Sequence, residues 1–259
     1  MRFVSYNLRF ASENDPQPWS RRRGPQVELI DSLAPDVLGV EEGLDHQLAD
    51  LMAGLDDHYR LIAEHRRDGG PEENSAIIYN GSVVELIKVE HQWLSDTPDA
   101  PGSITWGSSL PRMYSLATFR RIADDVEFFV ISTHFDHELE IAQINSARQL
   151  RNRISALDPE RGLVLMGDFN CGEDSEPYAI LTGRSQDGAG LRDAYLTAAD
   201  RGPRLGTFNN YAAPDPDGIR IDWILINDRM AARSSMIVDQ APGGQYPSDH
   251  LPVLAEIDF

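Results

Sequence analysis

The stretch Leu163–Cys171 reads Leu-Val-Leu-Met-Gly-Asp-Phe-Asn-Cys, an apolar run that ends abruptly in short polar side chains. A run this short, without alternation and followed by glycine, predicts a fully buried β-strand over Leu163–Met166 rather than a helix. In an extended chain Asp168 and Asn170 point to one side, and Phe169 turns back into the core. A simple β-turn is the alternative, because Gly, Asp and Asn are common turn residues. The chemistry at the other strand ends is what separates a turn from a site.

Length and composition bound the class of protein. A chain of 259 residues without a Pro/Gly/Ser-rich linker is expected to form one domain over residues 1–259. With 41% hydrophobic and 25% charged residues, it is expected to be globular. No apolar stretch reaches the roughly 20 residues of a membrane-spanning helix, and the first residues resemble a strand rather than a signal peptide. The single cysteine, Cys171, fits a reducing compartment. We therefore expect a cytoplasmic protein, and a monomer.

The net charge of −19, from 42 acidic and 23 basic residues, bears on the partner. A protein that grips long nucleic acid normally presents a basic stripe to the phosphates. The base-rich runs here are short, and each is interpreted as a solvated face: Arg21–Arg23, His65-Arg66-Arg67, and Arg148 with Arg151 and Arg153. The charge therefore does not favour nucleic acid as the partner. Bound metal can neutralise part of the acidic excess.

Hydrophobic periodicity and turn residues predict an interleaved set of elements. The predicted helices are Ser20–Leu33, His46–Leu55, Glu138–Leu157, Glu176–Leu181 and Leu191–Ala199. The predicted strands are Arg2–Leu8, Asp36–Val40, Tyr59–Ala63, Ala76–Tyr79, Val83–Val89, Met113–Arg120, Glu127–Thr133, Leu163–Met166, Arg220–Ile226 and Leu251–Phe259. A turn is predicted at Gly69-Gly70-Pro71, and long loops at Trp93–Pro111 and Arg201–Gly218. Strands outnumber helices too far for a parallel βαβ protein, which favours two largely antiparallel sheets with helices outside.

The predicted strands end in the same kind of side chain. These residues are Asn7, Glu42, His134, Asp168, Asn170, Asp222, Asp249 and His250. Nearly all are of metal-ligand or acid/base types, and their oxygen donors suit Mg²⁺ or Mn²⁺. Zinc fits less well, because it favours a compact His/Cys cluster and the histidines here are scattered.

Six short motifs in order resemble those of the endonuclease/exonuclease/phosphatase superfamily, the DNase I-like metal-dependent phosphoesterases. They are Tyr6-Asn7-Leu8-Arg9, Gly39-Val40-Glu41-Glu42, Thr133-His134, Gly167-Asp168-Phe169-Asn170, Arg220-Ile221-Asp222-Trp223 and Ser248-Asp249-His250. The resemblance covers nearly the whole chain. It implies an α/β (α+β) fold, a four-layered α-β-β-α sandwich of two mainly antiparallel sheets flanked by helices. It also implies hydrolysis of phosphoester bonds with a divalent cation.

The resemblance assigns expected roles around the metal. Asn7 and Glu42 resemble the family's metal-binding pair, with Glu42 as the main ligand, and Asp249 is expected beside the metal. One departure is visible, because many members have Gln-Glu where this chain has Glu41-Glu42. The extra carboxylate is expected either to alter metal affinity or to face away.

The resemblance also assigns the expected catalytic residues. Asp168 is expected to orient or activate the attacking water and Asn170 to hold a phosphate oxygen. His250 is expected to hydrogen-bond to Asp222, and His134 to donate to the scissile phosphate. Elementary chemistry agrees, since phosphoryl displacement needs charge neutralised, a water deprotonated and the leaving oxygen stabilised. Either Asp168 or the Asp222–His250 pair can serve as the general base.

Four further residues are candidates for substrate binding. Arg112 can reach a phosphate bidentately or remain an exposed arginine, and Asn74 can touch substrate or cap a turn. His137 can extend the site or cap the following helix. Trp106, in the long loop, can stack on a base or sugar or pack within the loop.

The leading hypothesis is a Mg²⁺-dependent hydrolase of a small-molecule, sugar-phosphate or lipid-headgroup ester, with Mn²⁺ as an alternative cation. A nuclease with the same chemistry is the alternative, which the charge disfavours, although the potential near a metal differs from the net charge. A catalytically silent binding module on this fold is the alternative of another class. The presence of every catalytic residue type argues against it.

Overall fold

A computed structural model describes residues 1–67, 72–183 and 190–259, which form two mixed sheets with helices on their outer faces. The predicted turn at Gly69-Gly70-Pro71 lies outside the described residues. The helices are α1 (Trp19–Leu33), α2 (Asp45–Gly54), α3 (Glu140–Ser155), α4 (Glu176–Thr182) and the short α5 (Ala194–Thr197). None of the described helices is long and apolar enough to cross a membrane.

The strands of the first sheet are β1 (Arg2–Asn7), β2 (Val37–Gly43), β3 (Tyr59–His65), β4 (Asn74–Asn80), β10 (Asp200–Arg201), β12 (Ala231–Ile237) and β13 (Val253–Asp258). Their order across the sheet is β10-β12-β13-β1-β2-β4-β3. The strands of the second sheet are β5 (Val84–Trp93), β6 (Met113–Arg121), β7 (Glu127–His134), β8 (Gly162–Asp168), β9 (Arg192–Asp193) and β11 (Asp222–Ile226). Their order is β5-β6-β7-β8-β11-β9. Most neighbouring strands are antiparallel, with parallel pairs at β1–β2, β7–β8 and β10–β12.

Alternating side chains of β8 show how the layers are held together. Val164 and Met166 pack into the core between the two sheets, and Leu163 and Leu165 pack into the core beneath α3 and α4. A third core joins α1 and α2 to the first sheet. Because every residue of β8 is buried, burial on both faces explains its unbroken apolar run. The expected four-layered α-β-β-α sandwich is confirmed.

Two local predictions were wrong. Leu191–Ala199 was expected to be a helix, but Arg192 and Asp193 pair with β11. The helix α5 begins only at Ala194, where the Asp193 carboxylate accepts hydrogen bonds from the N–H groups of Tyr195 and Leu196. No strand was predicted at β12, whose sequence Ala-Ala-Arg-Ser-Ser-Met-Ile carries few β-branched or aromatic residues. Its pairing with β13 supplies the strand.

The topology brings the polar strand ends to one edge. Asp168 ends β8 and is paired in register with His134 at the end of the parallel β7. On its other side Asp168 is paired with Asp222 at the start of the antiparallel β11. In the first sheet, Asn7 ends β1, and β13 runs antiparallel to β1. His250, just before β13, therefore lies at the same edge.

Gly167 sets the approach of β8 to β7 at this edge. Its φ is +154°, and a Cβ there would lie 1.9 Å from the carbonyl oxygen of Thr133. Any side chain would therefore push the two strands apart next to His134 and Asp168.

We expect Gly167→Ala to lower the free energy of unfolding by about 3 kcal/mol or more, because a backbone atom cannot be moved aside cheaply. Urea unfolding measures the change. Gly24→Ala in α1 is the matched control, since a Cβ there meets nothing within 4 Å, and it should change stability by no more than about 1 kcal/mol, the helix-propensity difference between the two residues. A Gly167→Ala protein as stable as the control would show that the close approach is not required.

Candidate functional site

A cleft of about 310 Å³ opens where the strand ends meet, and we call it the edge cleft. It is lined by residues that include Glu42, His134, Asp168, Asn170, Asp249 and His250. The carboxylates of Glu42 and Asp168 and a ring nitrogen of His134 lie within 4.8 Å of one another. The structure thus brings together residues from distant parts of the chain, as the sequence predicts for a site rather than a turn.

Asn7 connects the two carboxylates. Its Nδ2 donates to Glu42 Oε1 and to Asp168 Oδ2, both at 3.0 Å. Its Oδ1 accepts the N–H of Arg9 at 2.9 Å. Glu42 has a positive φ of 61° and lies where the pairing of β2 with β4 changes register. The irregularity re-aims the Glu42 carboxylate at the cleft, a common function of bulges near sites.

The polar end of Leu163–Cys171 forms a turn and also contributes to the cleft. The Asp168 carboxylate accepts the backbone N–H of Asn170 at 2.9 Å, and Asn170 has a φ of 52°, which asparagine tolerates. The Asn170 amide donates to the carbonyl of Phe135 at 3.1 Å. Phe169 is fully buried and stacks on Trp223 with ring centroids 4.4 Å apart. Phe169 therefore anchors the two polar residues on either side of it.

His250 and Asp222 form a buried pair. His250 Nδ1 lies 3.0 Å from Asp222 Oδ2, and its Nε2 lies 3.8 Å from Asp168 Oδ2. Burial alone would lower the pKa of His250, but the carboxylates of Asp222, Asp168 and Asp249 outweigh burial and raise that pKa well above its ordinary value. The His250 imidazole therefore favours its charged form. The hydroxyl of Ser248 accepts the backbone N–H of His250 and donates to the Asn7 carbonyl, which ties this loop to β1.

Asp168 is a buried acid beside another acid, so its surroundings disfavour its charged form. Burial, and then the Asp222 carboxylate, raise the pKa of Asp168 to about 7. The charge of His250 and the N–H groups of Asn170 and Asn7 act in the other direction. Asp168 is thus poised to exchange a proton near neutral pH.

His134 is held neutral and with one tautomer. Burial and the Arg112 guanidinium lower the pKa of His134 well below its ordinary value. Arg112 Nη1 lies 3.0 Å from His134 Nδ1, and a guanidinium can only donate. The Nδ1 atom is therefore an acceptor, and the ring proton is on Nε2, which lies 3.5 Å from Asp168 Oδ2. The same argument places the proton of His137 on Nε2, because Arg112 Nη2 lies 3.1 Å from His137 Nδ1.

The substrate-binding candidates divide into two groups. Arg112 and His137 line the edge cleft. Asn74 and Trp106 do not line it in the described structure. The Asn74 amide donates to the Gly43 carbonyl at 2.9 Å and to Asp45 at 3.1 Å, and the Trp106 indole donates to Asp96 at 2.8 Å.

Sequence reasoning missed several residues of the cleft, among them Arg9, Phe10, Arg66, Glu73 and Phe208. Arg66 and Glu73 form an ion pair at 2.6 Å, and burial followed by the Glu42 carboxylate raises the pKa of Glu73 to about 7. Phe208 is half exposed and packs edge-on against His250. Arg9 could have been found from the sequence, because it is the last residue of the motif Tyr6-Asn7-Leu8-Arg9, which also contains Asn7.

Glu41, the departure from the family pattern, faces inward. Its carboxylate is buried, and neither oxygen has a hydrogen-bond partner among the described residues. Burial, and then Asp222 and Asp168, raise the pKa of Glu41 well above its ordinary value. A protonated carboxyl group has nearly the shape of the glutamine amide that many members carry there.

Acids, histidines and amides gathered around one cleft at the edge of a two-sheet sandwich define a class of protein, the phosphoester hydrolases. The chain matches the Endonuclease/Exonuclease/phosphatase family over residues 4–250, and it belongs to that family. Members of the family hydrolyse phosphoester bonds and generally depend on a divalent metal. Glu42 and Asp168, which converge on this cleft, belong to groups of acids and histidines that could hold a metal ion.

Solved structures and a curated protein give the similarity in numbers. An endonuclease/exonuclease/phosphatase from Bacteroides vulgatus is 30% identical, with a TM-score of 0.92 over 99% of this chain and 98% of that one. A mannosyl-6-phosphatase from Bacteroides thetaiotaomicron is 28% identical, with a TM-score of 0.91 over 100% of both chains. Protein angel of Drosophila melanogaster is 23% identical over 175 residues, 65% of this chain. The chain spans about half the length of that curated relative, at 48%.

The inward-facing Glu41 predicts a pH-dependent stability difference. Its pKa is raised in the folded state, so its contribution is fully present below the unfolded pKa and is lost as pH rises toward the folded pKa. Glutamine does not titrate. From pH 5 to pH 8, we expect Glu41→Gln to gain stability over the wild type by up to about 1.4 kcal/mol per pH unit.

Urea unfolding in EDTA, which keeps metal out of the comparison, measures this difference. The variant Glu13→Gln, at an exposed position, is the control. Its difference in unfolding free energy from the wild type should stay the same across this pH range. Parallel stability curves for Glu41→Gln and the wild type would mean that Glu41 is charged in the folded protein.

Proposed function

We propose that the protein is a Mg²⁺-dependent phosphoesterase that hydrolyses phosphate esters of small molecules, with sugar phosphates as the first class to test. We also propose that residues 1–259 act as one catalytic domain and as a monomer. The observation that carries the proposal is the position of Asp168. It lies between the imidazoles of His134 and His250, and Asn7 joins it to Glu42.

The donor set fits a hard divalent cation. Carboxylate oxygens are the ligands that Mg²⁺ and Mn²⁺ prefer, and the Glu42 carboxylate opens onto the edge cleft. We propose Glu42 as the main ligand, with Asp249 beside it. Asn7 would orient Glu42 and Asp168 through its Nδ2, and its Oδ1, which accepts the Arg9 N–H with one lone pair, would offer the other to the cation. The cation, when bound, would neutralise charge on the phosphate and lower the pKa of water.

The chain's own residues would handle the proton of the attacking water. Asp168 accepts it in this proposal, because its pKa of about 7 suits a general base near neutral pH. The raised pKa of His250 supports a different part for that residue. His250, kept charged by Asp222, would donate from Nε2 and stabilise the negative charge that develops on the phosphoryl group.

The remaining residues would hold the phosphate. His134 carries its proton on Nε2 and can donate to a phosphate oxygen, while its Nδ1 is fixed by Arg112. The Arg112 Nε atom is buried and has no hydrogen-bond partner among the described residues. His137 and Asn170 lie in the same cleft. Asn170 would bind a phosphate oxygen, and His137 would contact the substrate beyond it.

Three observations support a small substrate. The edge cleft holds about 310 Å³, near the lower end of the volumes that small-molecule sites occupy, roughly 300–1,000 Å³. The net charge of −19 opposes a long polyanion. The similarity to a mannosyl-6-phosphatase along the whole chain makes hexose phosphates the natural first substrates.

We expect Asp168→Asn and His250→Asn each to lower kcat by about 10²- to 10⁴-fold, through loss of the general base in the first variant and of a charged donor to the phosphoryl group in the second. EDTA should abolish turnover and Mg²⁺ or Mn²⁺ should restore it. The assay is a panel of hexose phosphates, inositol phosphate, sphingomyelin, oligonucleotide and plasmid, with Arg21→Gln, an exposed arginine outside the cleft, as the control.

The panel separates the competing functions. Cleavage of plasmid at low enzyme concentration, with little turnover of the small esters, would favour the nuclease. Absence of turnover on every substrate with either metal would favour a binding module. Unchanged turnover in both variants would sink the proposed catalytic assignment.

A further inference from the structure

Arg9 is a cation that lies beside the acids of the edge cleft. It follows β1 and lines the cleft, and its side chain is about one third exposed. Its guanidinium lies 3.3 Å from Asp15, 3.6 Å from Asp249 and 3.9 Å from Glu42. We propose that Arg9 binds a terminal phosphate oxygen and makes the site select phosphomonoesters over phosphodiesters. This inference rests on the proposed phosphoesterase function.

The backbone of Arg9 is held in a strained conformation. Its φ is 59°, a region that residues with a Cβ rarely adopt. Three side chains fix it there, because its N–H donates to Asn7 Oδ1 and its carbonyl accepts from Gln47 and Arg22. Gln47 and Arg22 are themselves buried. Strain of this kind persists where the surroundings over-determine it, which is typical of binding and catalytic sites.

Arg22 joins this segment to the loop that precedes β13. Its guanidinium donates to the carbonyls of Leu8, Arg9 and Phe10, and also to Pro247. Pro247 directly precedes Ser248-Asp249-His250. The buried Arg22 side chain therefore fixes the position of Arg9 relative to Asp249 and His250.

The Arg9 guanidinium retains free donors. Its Nε donates to Asp15, and Asp15 is held in turn by the Tyr211 hydroxyl at 3.2 Å. The two terminal nitrogens of Arg9 make no hydrogen bond to the residues that the structure describes, and the Glu42 carboxylate lies 3.9 Å from Nη1, beyond hydrogen-bond distance. A guanidinium whose stem is fixed and whose outer N–H groups are free is suited to a phosphate oxygen.

A monoester benefits more than a diester from this cation. Near neutral pH a phosphomonoester is largely a dianion with three terminal oxygens, whereas a diester is a monoanion with two. The cleft carries the carboxylates of Glu42, Asp168 and Asp249, which oppose the dianion more strongly. Arg9 would offset that repulsion at the oxygen that a diester replaces with a second ester group.

The test compares two esters with the same leaving group, p-nitrophenyl phosphate and ethyl p-nitrophenyl phosphate, in saturating Mn²⁺. The proteins are the wild type, Arg9→Gln, Arg9→Lys and the exposed control Arg21→Gln. We expect Arg9→Gln to lower kcat/KM for the monoester about 10- to 100-fold more than for the diester, the range of a charge-assisted hydrogen bond. Inhibition by inorganic phosphate should weaken at least tenfold, and Arg9→Lys should recover part of both losses.

Equal losses on the two esters, or unchanged inhibition by phosphate, would overturn the inference. A wild type that prefers the diester would also overturn it. An Arg9→Gln protein that only binds Mn²⁺ more tightly would show that Arg9 merely neutralises Glu42 and Asp249.

Failure of the proposed function is distinguishable. If the wild type cleaves neither ester, calorimetric binding of inorganic phosphate to the Mn²⁺-loaded proteins still tests Arg9. Weaker binding by Arg9→Gln than by the wild type supports the inference, and equal binding contradicts it.

Discussion

Mutual repulsion among carboxyl groups is the constraint around which this site is built. Glu41, Asp168 and Asp222 are buried within one region, and Glu42 and Asp249 adjoin them at the cleft. Buried like charges cannot all be ionised unless they are compensated. The protein compensates them in three ways. The raised pKa of His250 favours its charged form, Asn7 donates to two of the carboxylates, and the raised pKa of Glu41 favours its neutral form.

The two sheets contribute different parts of the chemistry. The first sheet and its connections supply the proposed cation end, with Asn7, Arg9, Glu42 and Asp249. The second sheet supplies Asp168 and its strand neighbours His134 and Asp222. Because the site combines residues from both sheets, its geometry depends on the core that packs the two sheets together. The alternating side chains of β8 in that core therefore position Asp168 as directly as its own hydrogen bonds do.

Much of the fold and of the edge cleft could be predicted from the sequence, because strand ends carry a local signal. An apolar run that stops at Asp168 predicts both the strand and its polar end, and the observed antiparallel pairing of β8 with β11 places Asp222 beside it. Strand β12 could not be predicted in this way, because its pairing with β13 rather than its own residues makes it a strand. Local composition misled the prediction of a helix over Leu191–Ala199.

The residues that sequence reasoning missed act through tertiary contacts. Nothing in the sequence around Arg22 indicates that it donates to the carbonyls of two distant segments, at Leu8 and at Pro247. The strained backbone of Arg9 and the inward orientation of Glu41 likewise depend on neighbours far along the chain. Asn74 and Trp106 are residue types that often bind ligands, but here the Asn74 amide donates to the Gly43 carbonyl and the Trp106 indole donates to Asp96.

The proposed mechanism depends on a divalent cation held by these converging carboxylates, with Glu42 as its main ligand. Titration of Mn²⁺, with the free ion followed by electron paramagnetic resonance, tests it without any substrate. We expect saturable binding by the wild type and an affinity at least about tenfold lower for Glu42→Gln, since one charged ligand is lost. Absence of saturable binding, or equal affinity in the variant, would contradict it.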